Sequence, residues 1–278
     1  MIKRIVLELL KYILTIVILI LTLFPLYYLI VVSLTSTEFL SRGVVSFVPD
    51  SINNNYQTII GPELNSALAL TASVLVSLIV IRLVVYTLAG FGLNKVGKIT
   101  RKIVFGLFLF VSIVPEITIY IALRVLLFQI NATTTSLIFS LASNSIFSFF
   151  IMIYVYKSIQ SVSASKSRIM KIDKLRWYQQ FVYVYLPVLK MPFFLLVVFT
   201  AIQSWNDYLW PNFLLSGTAL ENITIWFLRQ GSGAEGGTSG LASLQNLQAA
   251  GSFISLIIPL GIYLIFSYWI NRGISRNV

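Results

Sequence analysis

Cysteine and histidine are both missing from the 278 residues. Without cysteine the chain has no disulfide, no thiolate metal site and no thiol nucleophile. Without histidine it lacks the usual general base and the commonest metal ligand. No catalytic residue and no metal site is assigned, and the chain is read as a non-enzyme. Charge is scarce as well: Asp, Glu, Lys and Arg make up 10% of the residues, against about 25% in soluble domains. What fills the space is hydrocarbon, with 58% hydrophobic residues and a mean hydropathy of +0.89. Such a chain is an all-α integral membrane protein. Acids are rarest of all, nine against twenty basic residues, for a formal charge of +11. A balance that basic raises nucleic acid as a partner, and the placement of the cations has to decide.

A membrane span needs roughly 20 apolar residues. Six stretches qualify, at about 12–34, 66–94, 103–128, 135–156, 186–210 and 252–270. The first follows a charged start, as a signal peptide would. It is too long and has no small-residue cleavage site, so it is read as a retained span. Sixteen of the twenty cations fall on one side of this six-span scheme: Lys3, Arg4, Lys11, Lys95, Lys98, Arg101, Lys102, Lys157, Lys166, Arg168, Lys171, Lys174, Arg176, Lys190, Arg272 and Arg276. The other side has Arg42 and Arg229 against six acids, Glu38, Asp50, Glu63, Asp207, Glu221 and Glu235. By the positive-inside rule both termini are cytoplasmic. Topology accounts for the basic charge, and nucleic acid is not needed. The whole chain, 1–278, is then one transmembrane domain with outer loops at 35–65 and 211–251.

The first outer loop reads as a folded excursion with aromatic and β-branched anchors. The second carries GSGAEGGTSG, from Gly231 to Gly240, followed by a candidate short helix in SLQNLQAA. No Lys-Ser/Thr follows these glycines, so they are not a phosphate cradle. They form either a mobile loop or one that touches an external partner. Two charges lie deep in the spans. Arg82 and Glu116 are each about 12–13 residues from the inner end, so both sit roughly 18–20 Å deep. Equal depth on antiparallel neighbours makes a buried ion pair the expectation, as structural cement or as part of a polar path. Arg124 also interrupts the third span. Pro25, Pro115 and Pro259 fall inside spans and predict kinks. Asn144, Gln203 and Asn206 are membrane amides, for interhelical hydrogen bonds or for a polar solute.

The segment IMKIDKLRWYQQFVYVYLPVLKMP, residues 169–192, is too polar to span and too apolar to float as a loop. Its Ile172-Asp173, the Phe181 eight residues after that Asp and Leu186-Pro187 at fourteen resemble the cytoplasmic signature (EAA) loop of ABC importer permeases. Trp205-Asn206-Asp207-Tyr208-Leu209-Trp210-Pro211 is similar to the WNDFLWP stretch of maltose-permease-type carbohydrate permeases. Asn65-Ser66, Val114-Pro115, Ala249-Ala250, Ile258-Pro259 and Asn271-Arg272-Gly273 extend the likeness along the chain. The chain departs from the pattern where the family's acid and two alanines fall on Arg168 (or Ser167), Ile169 and Met170. Its glycine, which serves a sharp turn, falls on Lys174, where a side chain at positive φ costs roughly 1 kcal/mol.

The resemblance implies half of an import pathway in a bacterial plasma (inner) membrane, made with a second six-span permease. It further implies two ABC ATPase subunits and an extracytoplasmic solute-binding (lipo)protein, with membrane lipids around the spans. This chain itself holds no cofactor; ATP and Mg belong to the ATPase. The loop at 162–185 would form coupling helices, with Arg168, Ile169, Met170, Ile172, Asp173, Lys174, Leu175, Trp177, Phe181 and Pro187 as ATPase-coupling residues. The altered acid implies either a correspondingly acidic ATPase groove or a different coupling geometry. Glu116, Asn144, Gln203, Trp205, Asn206 and Asp207 are the candidate pathway residues. Gly231, Ser232, Gly233, Gly236 and Gly237 are candidates for contact with the binding protein. The cargo expected is a sugar, oligosaccharide or polyol. The alternatives are another solute, such as a glycerol phosphate, or a membrane anchor in which 164–182 lies on anionic lipid as an interfacial helix.

Overall fold

The computed structural model describes residues 2–50, 55–230 and 245–275. The contact expected of Gly231, Ser232, Gly233, Gly236 and Gly237 lies outside the described residues. Long apolar runs give long helices: α1 (Ile2–Ser33), α4 (Pro62–Lys95), α11 (Leu186–Trp205) and α14 (Gln245–Ser275). The shorter elements are α2 (Thr37–Ser41), α3 (Asn55–Ile59), α5 (Lys98–Ile113), α6 (Glu116–Gln129), α7 (Ala132–Thr135), α8 (Leu137–Ser143), α9 (Phe149–Ile172), α10 (Trp177–Gln179), α12 (Leu209–Leu215) and α13 (Ile223–Arg229). A π-helical segment, Gln180–Tyr185, joins α10 to α11. No strand occurs among the described residues. Among the described residues three helical stretches are long and apolar enough to cross a membrane, Val6–Ser33, Pro62–Lys95 and Trp177–Trp205. The pair α5 and α6 would make a fourth if its two arms count as one span.

That pair corrects the simple reading of 103–128 as one helix. The two arms meet at 97°. Pro115 has no N–H to continue the ladder, and the residue before a proline is driven to extended backbone. Val114 sits at φ −63°, ψ 131°. Pro25 and Pro259, by contrast, stay inside continuous helices. The expected span at 135–156 is interrupted too. It starts in α7 and α8, breaks over 144–148 and resumes as α9, which continues well past the expected end at 156. The span at 186–210 ends at Trp205 and restarts at Leu209. The short helix expected in SLQNLQAA is instead, from Gln245 on, the first turns of α14.

The chain divides into two units, 1–66 with 223–268 and 67–222 with 269–278. In the first, the segment after α1 folds back on that helix. Tyr27 donates to the Phe47 carbonyl, and the Phe47 ring lies 6.1 Å from Phe24 and 6.5 Å from Tyr28. Ser36 caps α2, and Asp50 accepts from the Ser36 N–H at 2.8 Å. Two buried amides tie the strand of chain after α1 to α3 and to the start of α14. Asn55 donates to the carbonyls of Ser33 (2.9 Å) and Thr35 (3.0 Å). Asn246 donates to Thr37 Oγ1 and Asn55 Oδ1, both at 3.0 Å. Asn246→Leu leaves those acceptors buried without their donor, at about 1–3 kcal/mol. A lower melting temperature of the detergent-purified protein is the expected readout; an unchanged melt would show that this node carries no load.

The core of the second unit gathers Tyr86, Met152, Val155, Tyr156, Ile159, Met170, Tyr185, Leu189 and Leu196 from α4, α9, the π-helical segment and α11. Gly90 lets α4 and α9 approach closely, since a Cβ there would come within 2.6 Å of Ile159 Cδ1. Arg101 caps the end of α4, donating to the carbonyls of Leu93 and Val96, both at 2.9 Å. One of the basic residues of that connection therefore serves the fold directly.

Candidate functional site

A helix broken inside a membrane leaves carbonyls with no water to accept from, so the protein must supply donors. In the break at 144–148 they come from α4. Arg82, fully buried, donates from Nε to the Ser145 carbonyl at 2.9 Å and from Nη2 to the same oxygen. One helical turn later on the same face, Tyr86 donates to the Ile146 carbonyl at 2.8 Å and accepts from the Ser148 N–H. The remaining guanidinium donors reach α11: Nη1 to Thr200 Oγ1 at 2.8 Å and Nη2 to Gln203 Oε1 at 2.7 Å. A lone cation in hydrocarbon is thus explained as the plug of a helix break.

This corrects the expected Arg82–Glu116 ion pair. Among the described residues the ion pairs are Lys11–Glu8 and Arg229–Glu63. Glu116 instead accepts from the Tyr120 hydroxyl at 2.9 Å, one turn along α6. Pro115 starts a new helix there, and the 97° turn takes Glu116 out of line with the arm before it. Two candidate pathway residues, Glu116 and Asn144, meet at the Tyr120 hydroxyl, and Asp207 acts on it through its charge alone. Its ring lies 5.2 Å from that of Trp210, tilted at 51°, and Trp210 donates to the Ser140 carbonyl at 3.1 Å. The WNDYLWP stretch therefore works as a second helix break. The Asp207 carbonyl accepts from Asn222 at 2.6 Å, and Asn206 folds back on the Ile202 carbonyl at 2.8 Å. Trp205, the last residue of α11, is half-buried. Gln203 stands apart from this cluster, on Arg82. Tyr86, Tyr120, Thr200, Ser145 and Asn222 were not expected at either break. The serines flanking Asn144 in LASNSIFS, poor helix formers in an apolar run, were the available signal. Arg124 lies over the Phe213 ring at 4.7 Å.

The segment expected to couple is built as a corner. Helix α9 ends in a Schellman turn, with Leu175 N–H to the Met170 carbonyl at 3.2 Å and Lys174 N–H to the Lys171 carbonyl at 3.3 Å. Lys174 occupies the left-handed position of this turn at φ +47°, where the family pattern has glycine. Lys174→Gly should therefore stabilise the protein by about 1 kcal/mol, read as a higher melting temperature; a lower one would mean that the lysine side chain has a structural role. Gln180 donates to the Leu175 carbonyl at 2.7 Å, and Gln179 accepts from the Arg176 N–H at 2.8 Å. Pro187 enters α11 at its first turn.

The ten coupling candidates divide by direction. Met170 is 6% exposed and belongs to the core, with Leu175 and Phe181 packed against it. Met170 therefore serves the corner's core, while Leu175 and Phe181 pack against that core and stay partly exposed. Ile169, Ile172 and Trp177 point outward, the last two at 77% and 81% exposure. Arg168, Asp173, Lys174 and Pro187 are exposed beside them, as are Lys166, Lys171 and Arg176. None of these five Lys and Arg makes an ion pair among the described residues.

A family described as the binding-protein-dependent transport system inner membrane component matches residues 86–278. The chain is 27% identical to the probable ABC transporter permease protein MG189 of Mycoplasma genitalium, over 91% of this chain and 82% of that one. It is 26% identical to the lactose transport system permease protein LacG of Rhizobium radiobacter, over 74% of each. Its fold matches a chain of a bacterial ABC transporter involved in the import of the acidic polysaccharide alginate, with a TM-score of 0.79 over 96% of this chain and 97% of that one, at 18% identity. The helix breaks, the corner after α9 and the match over 86–278 lead to one conclusion: this chain belongs to the inner membrane permease components of binding-protein-dependent ABC importers.

Proposed function

We propose that the chain is one of two six-span halves of an ATP-driven sugar importer in a bacterial plasma membrane, with both termini cytoplasmic. Two ATPase subunits hydrolyse ATP with Mg, and an extracytoplasmic binding protein delivers the solute. The observation that carries the reading is the corner at 169–187. Its inner residues are locked in the core, and its outer face sets Ile172 and Trp177 among unpaired cations. Such a face is a handle through which a soluble partner can move α9 and α11 together. The likeness to a lactose permease supports a carbohydrate cargo. Arg82, fully buried and bonded to protein acceptors, offers nothing to a phosphate, which disfavours a glycerol phosphate. Family membership displaces the reading as a mere membrane anchor.

The test is reconstitution of the chain with its second permease and ATPase in proteoliposomes. ATP hydrolysis is measured with binding protein and with lactose, maltose, glycerol or glycerol 3-phosphate. Stimulation by binding protein together with a sugar is expected. If only glycerol 3-phosphate stimulates, the cargo is wrong. If the ATPase does not co-purify, the coupling assignment is wrong.

A further inference from the structure

Arg82 also decides which way Gln203 faces. A guanidinium carries donors only, so the Gln203 atom 2.7 Å from Arg82 Nη2 is the amide oxygen. The amide NH2 is what the side chain has left to offer elsewhere. Gln203 lines a cavity of about 460 Å3 along α9 and α11, together with Ser148, Phe150, Tyr154, Phe199 and Ile202. That volume falls in the range of roughly 300–1,000 Å3 typical of small-molecule sites. No Asp, Glu, Lys or Arg lines the cavity. Three aromatic rings and three neutral donors, the Gln203 amide and the hydroxyls of Ser148 and Tyr154, are therefore its recognition chemistry. Rings suit the C–H face of a pyranose, and neutral donors suit its hydroxyls and ring oxygen. An anion would be left facing rings with its charge uncompensated, because Arg82 behind the amide is fully buried and already bonded to the protein.

We propose that this cavity is a subsite for an uncharged sugar, in which Gln203 donates through Nε2 to a sugar oxygen while Phe150, Tyr154 and Phe199 cover the C–H face. The assignment rests on the importer reading above and adds where the solute is held and that it is neutral there. Arg82, by occupying the amide oxygen, makes Gln203 a donor rather than an acceptor toward the solute.

The chain has no cysteine, so a single thiol can be placed without background. Phe199→Cys is made in the complete transporter, and its labelling by N-ethylmaleimide is timed in proteoliposomes. Lactose, maltose, glycerol, galacturonate and glycerol 3-phosphate are compared as protectants. Lactose or maltose should slow the labelling, while galacturonate and glycerol 3-phosphate should leave it unchanged. The second variant, Gln203→Glu, still accepts from Arg82 but has no N–H. It should assemble to normal yield and need about tenfold more sugar for half-protection, the equivalent of about 1.4 kcal/mol. A side chain with only a structural role would leave that concentration alone. Three results overturn the proposal: protection by none of the compounds, equal protection by the acidic ones, or labelling already blocked by assembly with the second permease before any solute is added. Hydrolysis by the wild-type complex separates the two claims. If a sugar stimulates it without protecting the thiol, the cavity assignment falls and the importer stands. If no sugar stimulates it, the sugar reading itself falls.

Discussion

Arg82→Leu is expected to remove most of the folded protein from the membrane and to lower the melting temperature of what remains more than any other single change. Four hydrogen bonds leave with the guanidinium. Interhelical bonds of this kind average about 0.6 kcal/mol each in membrane proteins, so the bonds alone account for about 2 kcal/mol. A comparable cost is the Ser145 carbonyl left in a dry break, at about 1–3 kcal/mol for an unsatisfied buried group. Together they give about 3–5 kcal/mol, enough to unfold a marginal domain. Arg82→Lys should recover little, because an ammonium on a flexible stem cannot span Ser145, Thr200 and Gln203 as the planar fork does. Tyr86→Phe removes one donor and one acceptor from the same break and should cost less than the arginine change. The double swap Arg82→Glu with Glu116→Arg should not rescue assembly, since the two side chains have different partners. Monodisperse yield and thermal melts in detergent are the measurements. A swap that restores wild-type yield would reinstate the direct pair, and an Arg82→Leu protein that melts like wild type would remove the plug.

The contrast between expected and observed partners of Arg82 shows which coordinates a sequence carries. Depth in the membrane is a count of residues, and Arg82 and Glu116 do match in depth. The direction a side chain takes around its helix is legible only where one face is polar, and α4 is apolar on nearly every side. The break at 144–148 was hidden for a related reason. The run 135–156 is apolar enough to be one helix, and what permits its interruption is a donor arriving from 63 residues earlier. Pro115 was legible as a distortion because proline acts locally, although the angle of the turn depends on what packs beside it. The turn at Lys174 was legible for the same reason: a position that calls for glycine carries its backbone geometry with it, and φ there is +47°. The inward turn of Met170 was not, because it depends on α9 running unbroken to Ile172, which places residue 170 on the core face and 169 and 172 on the other.

That division of faces sets the second large effect, at the junction proposed with the ATPase. Trp177→Ala, alone or with Ile172→Ala, should weaken association of the ATPase by about 30-fold or more, since exposed aromatic anchors are worth about 2 kcal/mol or more at interface centres. Reversing charge with Arg168→Glu and Lys171→Glu acts differently. Rim charges chiefly govern association rate and its salt dependence, so this variant should bind slowly and lose the acceleration that wild type gains at low ionic strength. Met170→Ala is the control for fold. It opens a cavity in the core at about 2–5 kcal/mol, so it should reduce the amount of folded protein while the folded fraction binds the ATPase normally. Titration of purified ATPase onto the permease in nanodiscs, at two salt concentrations and normalised to folded protein, reads all three. If the Trp177 and Ile172 variants bind within twofold of wild type, the outer face of this corner is not the handle. If Met170→Ala lowers affinity as strongly as they do, the corner is felt by the partner as a shape, and its exposed side chains are not what the ATPase grips.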